Sequence, residues 1–278
     1  MSSFQSDPPS PAEPKLRSVH RRSRSFATLR TVMALILREM STRYGRSAGG
    51  YIWAVLEPLG VIVILALAFS LVFRAPALGS SFILFYASGY LPFHVYQTVS
   101  LYVSRSINFS RPLLFYPSVT WVDALLARFI LNSLTGFMVA YLLLGGLILA
   151  IDTRIVLDVL PIVQALALTA LLGLGMGALN CALIGLIQTW DVIWSIASRP
   201  LFLASGIFFI YEDMPRVVQQ VLWYNPLIHI NGILRTGLYP MYNADFASWE
   251  YVVGFSLVTM GAGLLLLHRF HKDILNDN

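Results

Sequence analysis

Residues 159–190, VLPIVQALALTALLGLGMGALNCALIGLIQTW, run without one aspartate, glutamate, lysine, arginine or histidine. A bilayer core about 30 Å thick is crossed by about 20 helical residues at 1.5 Å each. The run is therefore long enough to cross once, and water offers it no compensating surface. Two others resemble it outward along the chain: Ala75 to Ser104 and Phe129 to Ile151 carry no Asp, Glu, Lys or Arg. Composition agrees. Of 278 residues, 57% are apolar and only 12% charged, against roughly 45–50% and about 25% in soluble chains. The reading is an all-α integral membrane protein, which excludes a large soluble catalytic domain. Cys181, the single cysteine, sits inside the quoted run and packs as a small hydrophobe.

Six membrane-length segments are expected, at about 51–73, 82–103, 125–151, 159–187, 192–211 and 250–268. Residues 1–25, rich in Ser, Pro and Arg, read as a disordered cytoplasmic tail. Its Arg21-Arg22 pair is no export signal, because the apolar stretch from Val32 to Leu37 ends at Arg38-Glu39. Residues 26–46 place Phe26, Leu29, Val32, Met33, Ile36, Leu37 and Met40 at spacings of three and four among arginines, the pattern of a helix lying in the membrane interface. Lysine and arginine partition fourteen against four between the two sides, the majority flanking the N-terminus, the loop near 105–128 and the C-terminus. Both termini are therefore expected in the cytoplasm. That partition explains the net charge of +5 as topology and affinity for anionic membrane lipid, without nucleic acid. Between segments five and six, residues 212–249 hold two short apolar helices split by Asn225-Pro226, which reads as a re-entrant hairpin on the outer face.

Catalytic chemistry has no residues to work with. There is no glycine-rich phosphate loop, no Cys/His cluster with metal spacing and no paired-carboxylate cleft, so neither a cofactor nor an enzyme activity is expected. His94 and His229 read as satisfied interior groups. Ionisable residues beside apolar segments need partners: Glu57 is expected to pair with an arginine at 43 or 46, Asp123 with Arg128, and Arg199 has Asp191 two turns away. Phe82, Phe85, Tyr86, Tyr90 and Phe93 share one helical face, a surface on which sugar rings can stack.

The stretch Arg38-Glu39-Met40-Ser41-Thr42-Arg43-Tyr44-Gly45-Arg46, continuing through Gly50-Tyr51-Ile52-Trp53-Ala54 to Leu56-Glu57-Pro58, resembles the N-terminal signature of ABC-2 type polysaccharide export permeases. Arg199-Pro200-Leu201-Phe202, Ser205-Gly206, Tyr211-Glu212-Asp213 and Leu222-Trp223-Tyr224-Asn225-Pro226-Leu227-Ile228-His229 look like the capsular branch. The resemblance covers about residues 30–270. It implies a homodimer of six-helix subunits in the bacterial inner membrane, working with two copies of a separate ABC ATPase. Lipid-linked polysaccharide is the implied substrate, with a periplasmic co-polymerase and outer-membrane export components as further partners. By the same resemblance, residues 26–46 form a gate helix, 104–122 a loop coupled to the ATPase through Asn108, Arg111, Phe115 and Tyr116, and 212–249 the outer gate helices. Tyr44, Trp53, Tyr86, Phe93 and Tyr96 are the channel candidates, and Arg46, Glu57, Arg199 and Glu212 the gate or access candidates. The alternatives are a permease for O-antigen or teichoic acid and a proton-coupled secondary transporter. The last would need midplane carboxylates and an internal repeat that the chain lacks.

Overall fold

A computed structural model describes residues 27–43, 50–116, 119–151 and 157–276. Among them are ten α-helices and one 3-10 turn, with no strand. In order these are α1 (Ala27–Arg43), α2 (Gly50–Ser70), α3 (Phe82–Ser104), α4 (Ser106–Leu114), α5 (Trp121–Ala150), α6 (Val159–Leu186), α7 (Trp190–Leu203), the turn Tyr211–Asp213, α8 (Arg216–Leu222), α9 (Pro226–Leu238) and α10 (Trp249–Asn276). The tail 1–25 and residues 44–46 lie outside the described residues.

Helix starts follow local chemistry. Thr120 and Asp123 form a reciprocal capping box at α5, the Asp123 amide donating to Thr120 Oγ1 at 3.2 Å and the Thr120 amide to Asp123 Oδ2 at 2.9 Å. Asp158 caps α6, and Asn225 caps α9 with Pro226 at its first position. Four helices, α2, α5, α6 and α10, are long and apolar enough to cross a membrane. At 23 residues α3 is long enough, but its Tyr, His, Gln and Ser residues make it less apolar, and it is buried over most of its length. The segment expected at 192–211 is not one helix: α7 stops at Leu203 after 14 residues, too short to cross alone. The chain turns at Ser205-Gly206, where Gly206 has φ +79°, a left-handed conformation that other residues adopt only under strain.

Packing centres on α6, which lies against α3 on one side and α10 on the other. Small residues allow the approach. A β-carbon at Gly173 would sit 2.9 Å from Val99 of α3, one at Gly177 2.7 Å from Val103, and one at Gly175 2.5 Å from the Ser256 carbonyl of α10. Helix α2 buries only the stripe Pro58, Ile62 and Ala66, leaving Ile64, Leu67 and Trp53 exposed. Helix α1 has two faces. Val32 and Leu35 pack with Ala127 of α5, whereas Leu29, Met33 and Leu37 recur every four residues on the outward side. The N-terminal turn of α5, all of α4 and the last turns of α10 gather at one end of the bundle, with Arg111 donating to the Leu275 carbonyl at 2.8 Å. The α6 N-terminus and α9 meet at the other end, where the Asp158 amide donates to the Gly237 carbonyl at 3.0 Å.

Candidate functional site

At the α9 end, the unwound chain after α7 exposes carbonyls that no helix satisfies. Apolar surroundings make an orphaned carbonyl costly, so non-helical backbone at such depth needs partners. Helix α9 and its cap supply them. Asn225 Nδ2 donates to the Ala204 carbonyl at 2.9 Å, and Asn231 Nδ2 to Ser205 at 2.7 Å. Arg235 Nη1 and Nη2 reach Phe209 and Ile207 at 3.0 and 3.4 Å. Arg235 is 2% exposed, donates through Nε to Ser88 Oγ of α3 at 3.3 Å and lies over the Phe85 ring at 4.5 Å. Gly89 makes the approach feasible, since a β-carbon there would meet Ile207 Cα at 2.8 Å. One buried guanidinium thus ties α3, the break and α9 together. Beyond the break, the Tyr242 hydroxyl donates to Glu212 at 3.0 Å. Burial first, and then that carboxylate, push the Tyr242 hydroxyl well above the ordinary phenol range, so it stays a donor. His229 is fully buried. Its Nδ1 accepts from the Ser248 amide at 3.1 Å, which leaves the proton on Nε2 to donate to the Trp223 carbonyl at 2.7 Å. It is the satisfied interior group expected from the sequence.

The α4 end carries the ion pairs. Glu39 of α1 and Arg128 of α5 approach to 3.3 Å with both side chains 6% exposed. Phe109 of α4 lies over the Arg128 guanidinium at 4.1 Å and faces Arg38 at 5.4 Å. The expected Asp123–Arg128 pair is therefore replaced: Asp123 is spent on the α5 cap, and Arg128 takes a partner from α1. Asp191, in the first turn of α7, pairs with Arg105 at 3.3 Å instead of Arg199. Arg105 is at once the last cap of α3 and the first of α4.

Three cavities meet along α3. One, about 520 Å³, opens among Glu39, Thr42, Asn108, Phe109, Arg128 and the Arg105–Asp191 pair. A second, about 260 Å³, runs between α3 and α7, with Phe93, Tyr96, Trp194, Gln97, Ser100 and Ser198 on its walls. The third, about 300 Å³, lies between α2, α3 and α5 beside Glu57, Tyr90, His94 and Gln97. Leu101 lines all three. The walls combine aromatic rings with hydroxyls. The Ser104 and Ser195 hydroxyls donate to their own helix backbones at 2.8 Å, so their lone pairs remain to accept from a guest. Such walls suit a polyhydroxylated chain, with rings to stack on and acceptors to follow it.

Residues 30–239 match the ABC-2 type transporter family. The chain belongs to that family. Its similarity to individual ABC-2 proteins spans nearly their whole length. It is 30% identical to the polysialic acid transport protein KpsM of Escherichia coli over 89% of this chain and 96% of that one. It is 27% identical to the capsule polysaccharide export inner-membrane protein CtrC of a Neisseria meningitidis serogroup B strain, over 93% and 99%. For BexB of Haemophilus influenzae, which bears the same description, the identity is 27% over 88% and 92%. CtrC and BexB are described as inner-membrane export proteins and KpsM as a transport protein, and this ABC-2 chain is likewise a permease subunit and no enzyme.

On this ABC-2 scaffold, the residues singled out from sequence fall in different places. Phe93 and Tyr96 line the α3–α7 groove, their rings 6.3 Å apart. Tyr86 is buried among Phe69, Phe85 and Phe208. Trp53 and Arg199 are exposed on α2 and α7, and Glu57 borders the third cavity. Tyr44 and Arg46 lie outside the described residues, as does the side chain of Arg43, so the expected partners of Glu57 do too. Asn108 faces the 520 Å³ cavity, Arg111 anchors α10, and Phe115 and Tyr116 stand exposed just past α4. Sequence reasoning missed Asn231, the Glu39–Arg128 pair and the buried role of Arg235. An arginine inside an apolar thirteen-residue helix was the available signal for the last.

Proposed function

We propose that this chain is the membrane subunit of an ATP-driven exporter that moves lipid-linked capsular polysaccharide across the bacterial inner membrane. The observation that carries the proposal is the near full-length likeness to capsule export and polysialic acid transport proteins. The geometry supports it with a row of cavities walled by aromatics and hydroxyls along α3, a chemistry suited to sugar rings in any order.

Two copies of the chain form the conduit in this reading, the exposed faces of α2 and α7 turning toward it or toward lipid. Six passages are counted as α2, α3, α5, α6, α7 with its unwound continuation, and α10. The pair α8–α9 is then the re-entrant outer hairpin, its broken backbone held by Asn225, Asn231 and Arg235. Both termini are cytoplasmic, in line with the basic residues there and with the meeting of α4 and the α10 C-terminus. Helix α4, with Asn108, Arg111, Phe115 and Tyr116, docks on a separate ATPase, of which two copies drive the dimer. Closure of the ATPases moves α4, and α4 pulls α1 and α5 through the Phe109 contact with Arg38 and Arg128. Trp53, Tyr86, Phe93 and Tyr96 serve or support the glycan path, and Glu57, Arg199 and Glu212 its openings. A periplasmic co-polymerase and outer-membrane components receive the polymer.

Deletion of the gene in its native host tests this. Loss of surface polymer with lipid-linked polymer accumulating inside, restored by the wild-type gene, is the expected result. The accumulated polymer also identifies the substrate, separating capsule from O-antigen or teichoic acid. Unchanged surface glycan in the deletion strain refutes the proposal.

A further inference from the structure

Two cavities on α3 share one pair of charged residues. Arg105 and Asp191 line both the 520 Å³ cavity at the α4 end and the 260 Å³ groove that leads to Tyr96 and Trp194. Their side chains join at 3.3 Å across the gap between the α3–α4 corner and the first turn of α7. The strength of this pair differs from that of its neighbour. Glu39–Arg128 is nearly buried, whereas the Arg105 and Asp191 side chains are 52% and 50% exposed. An exposed pair contributes little to stability, so a small movement suffices to part it. The helices it joins are fitted to move. Arg105 caps the helix that leads into the exposed Phe115 and Tyr116, and α7 buries none of its own residues. Besides this pair, the head of α7 is tied back to α6 by Trp190, whose Nε1 donates to Asn180 Oδ1 and whose amide donates to the Ile187 carbonyl, both at 2.9 Å.

We infer that the Arg105–Asp191 pair is an ionic gate between the cytoplasmic cavity and the α3–α7 glycan groove, opened when α4 shifts. The inference rests on the proposed glycan path, but its test reads the gate without glycan. Ser100 is 4% exposed, lines the groove and lies one turn deeper than Ser104. In a Cys181→Ser background, Ser100→Cys is labelled from the α4 side in inverted membrane vesicles with a sulfonated methanethiosulfonate. Labelling is slow with the pair intact, at least several-fold faster with Arg105→Gln or Asp191→Asn, and slow again when Arg105→Asp is combined with Asp191→Arg. Equal rates in all four backgrounds overturn the gate, and so does a charge-swapped chain that labels as fast as the single variants. A second measurement links the gate to transport. The charge swap restores ATP-driven export that each single variant lowers, whereas full export by both single variants also overturns it. Failure of export in the wild-type complex, with labelling still dependent on the pair, strikes at the proposed function alone.

Discussion

Replacing Arg235 with methionine is the sharpest test of how the broken segment is held. The substitution keeps an unbranched side chain but removes the donors to Ile207, Phe209 and Ser88 and the charge over Phe85. Each carbonyl left without a partner costs about 1–3 kcal/mol, and the lost cation–π contact about 0.5–2 kcal/mol. Against this, methionine has no guanidinium to desolvate, a relief of several kcal/mol. Two carbonyls and the ring contact together cost about 2.5–8 kcal/mol, and the relief brings the net loss to about 3 kcal/mol, since among the described residues no other hydrogen bond reaches those carbonyls. For a chain of this size that lowers Tm by about 6–12 °C, read by tryptophan fluorescence in mild detergent. Arg235→Lys retains the charge but not the planar fork, and should lose about half as much. A methionine variant melting within about 2 °C of the wild type would refute the claim that this arginine holds the break.

Other predictions follow from neighbouring contrasts. Glu39→Ala takes the carboxylate from a nearly buried Arg128, which keeps the Tyr102 carbonyl at 3.0 Å, and should cost about 3 kcal/mol, while Asp191→Asn, at a half-exposed pair, should cost under about 1 kcal/mol; thermal melts separate them. Gly175→Ala forces a β-carbon against the Ser256 carbonyl and should destabilise by about 1–3 kcal/mol, whereas Gly145→Ala meets nothing within 4 Å and should stabilise by about 0.5–1 kcal/mol. Phe115→Ala with Tyr116→Ala should leave Tm unchanged, both rings being exposed, but should reduce the ATPase retained on purification. Tyr96→Ala should lower surface glycan with normal protein level, while Tyr86→Ala, in the aromatic core, should first lower the amount of folded protein.

The spanning helices were legible because a charge-free run leaves one solution in lipid. The expected segments at 125–151 and 159–187 fall within four residues of α5 and α6, and the one at 250–268 starts with α10 but stops eight residues short of its end. Segment five was not. Residues 192–211 carry a single charge, Arg199, and three serines, and hydropathy cannot see that Ser205-Gly206 turns the chain. The groups that make the turn affordable lie 21 to 28 residues on, at Asn225, Asn231 and Arg235. Pairings across the fold were hidden for the same reason. Asp123 and Arg128 are just over one turn apart, yet the capping box claims the aspartate, and the carboxylate beside Arg128 comes from a helix near the N-terminus. The aromatic periodicity of α3 pointed to a helix that lines cavities without separating Tyr86, in the core, from Tyr96, on a cavity wall.

Purifying the chain from its native membrane in mild detergent, then reconstituting whatever accompanies it, tests the central claim most directly. The account predicts a stoichiometric nucleotide-binding subunit and a complex that moves lipid-linked polysaccharide into proteoliposomes only when ATP is hydrolysed. A chain that purifies without an ATPase and moves solute on a proton gradient would contradict it.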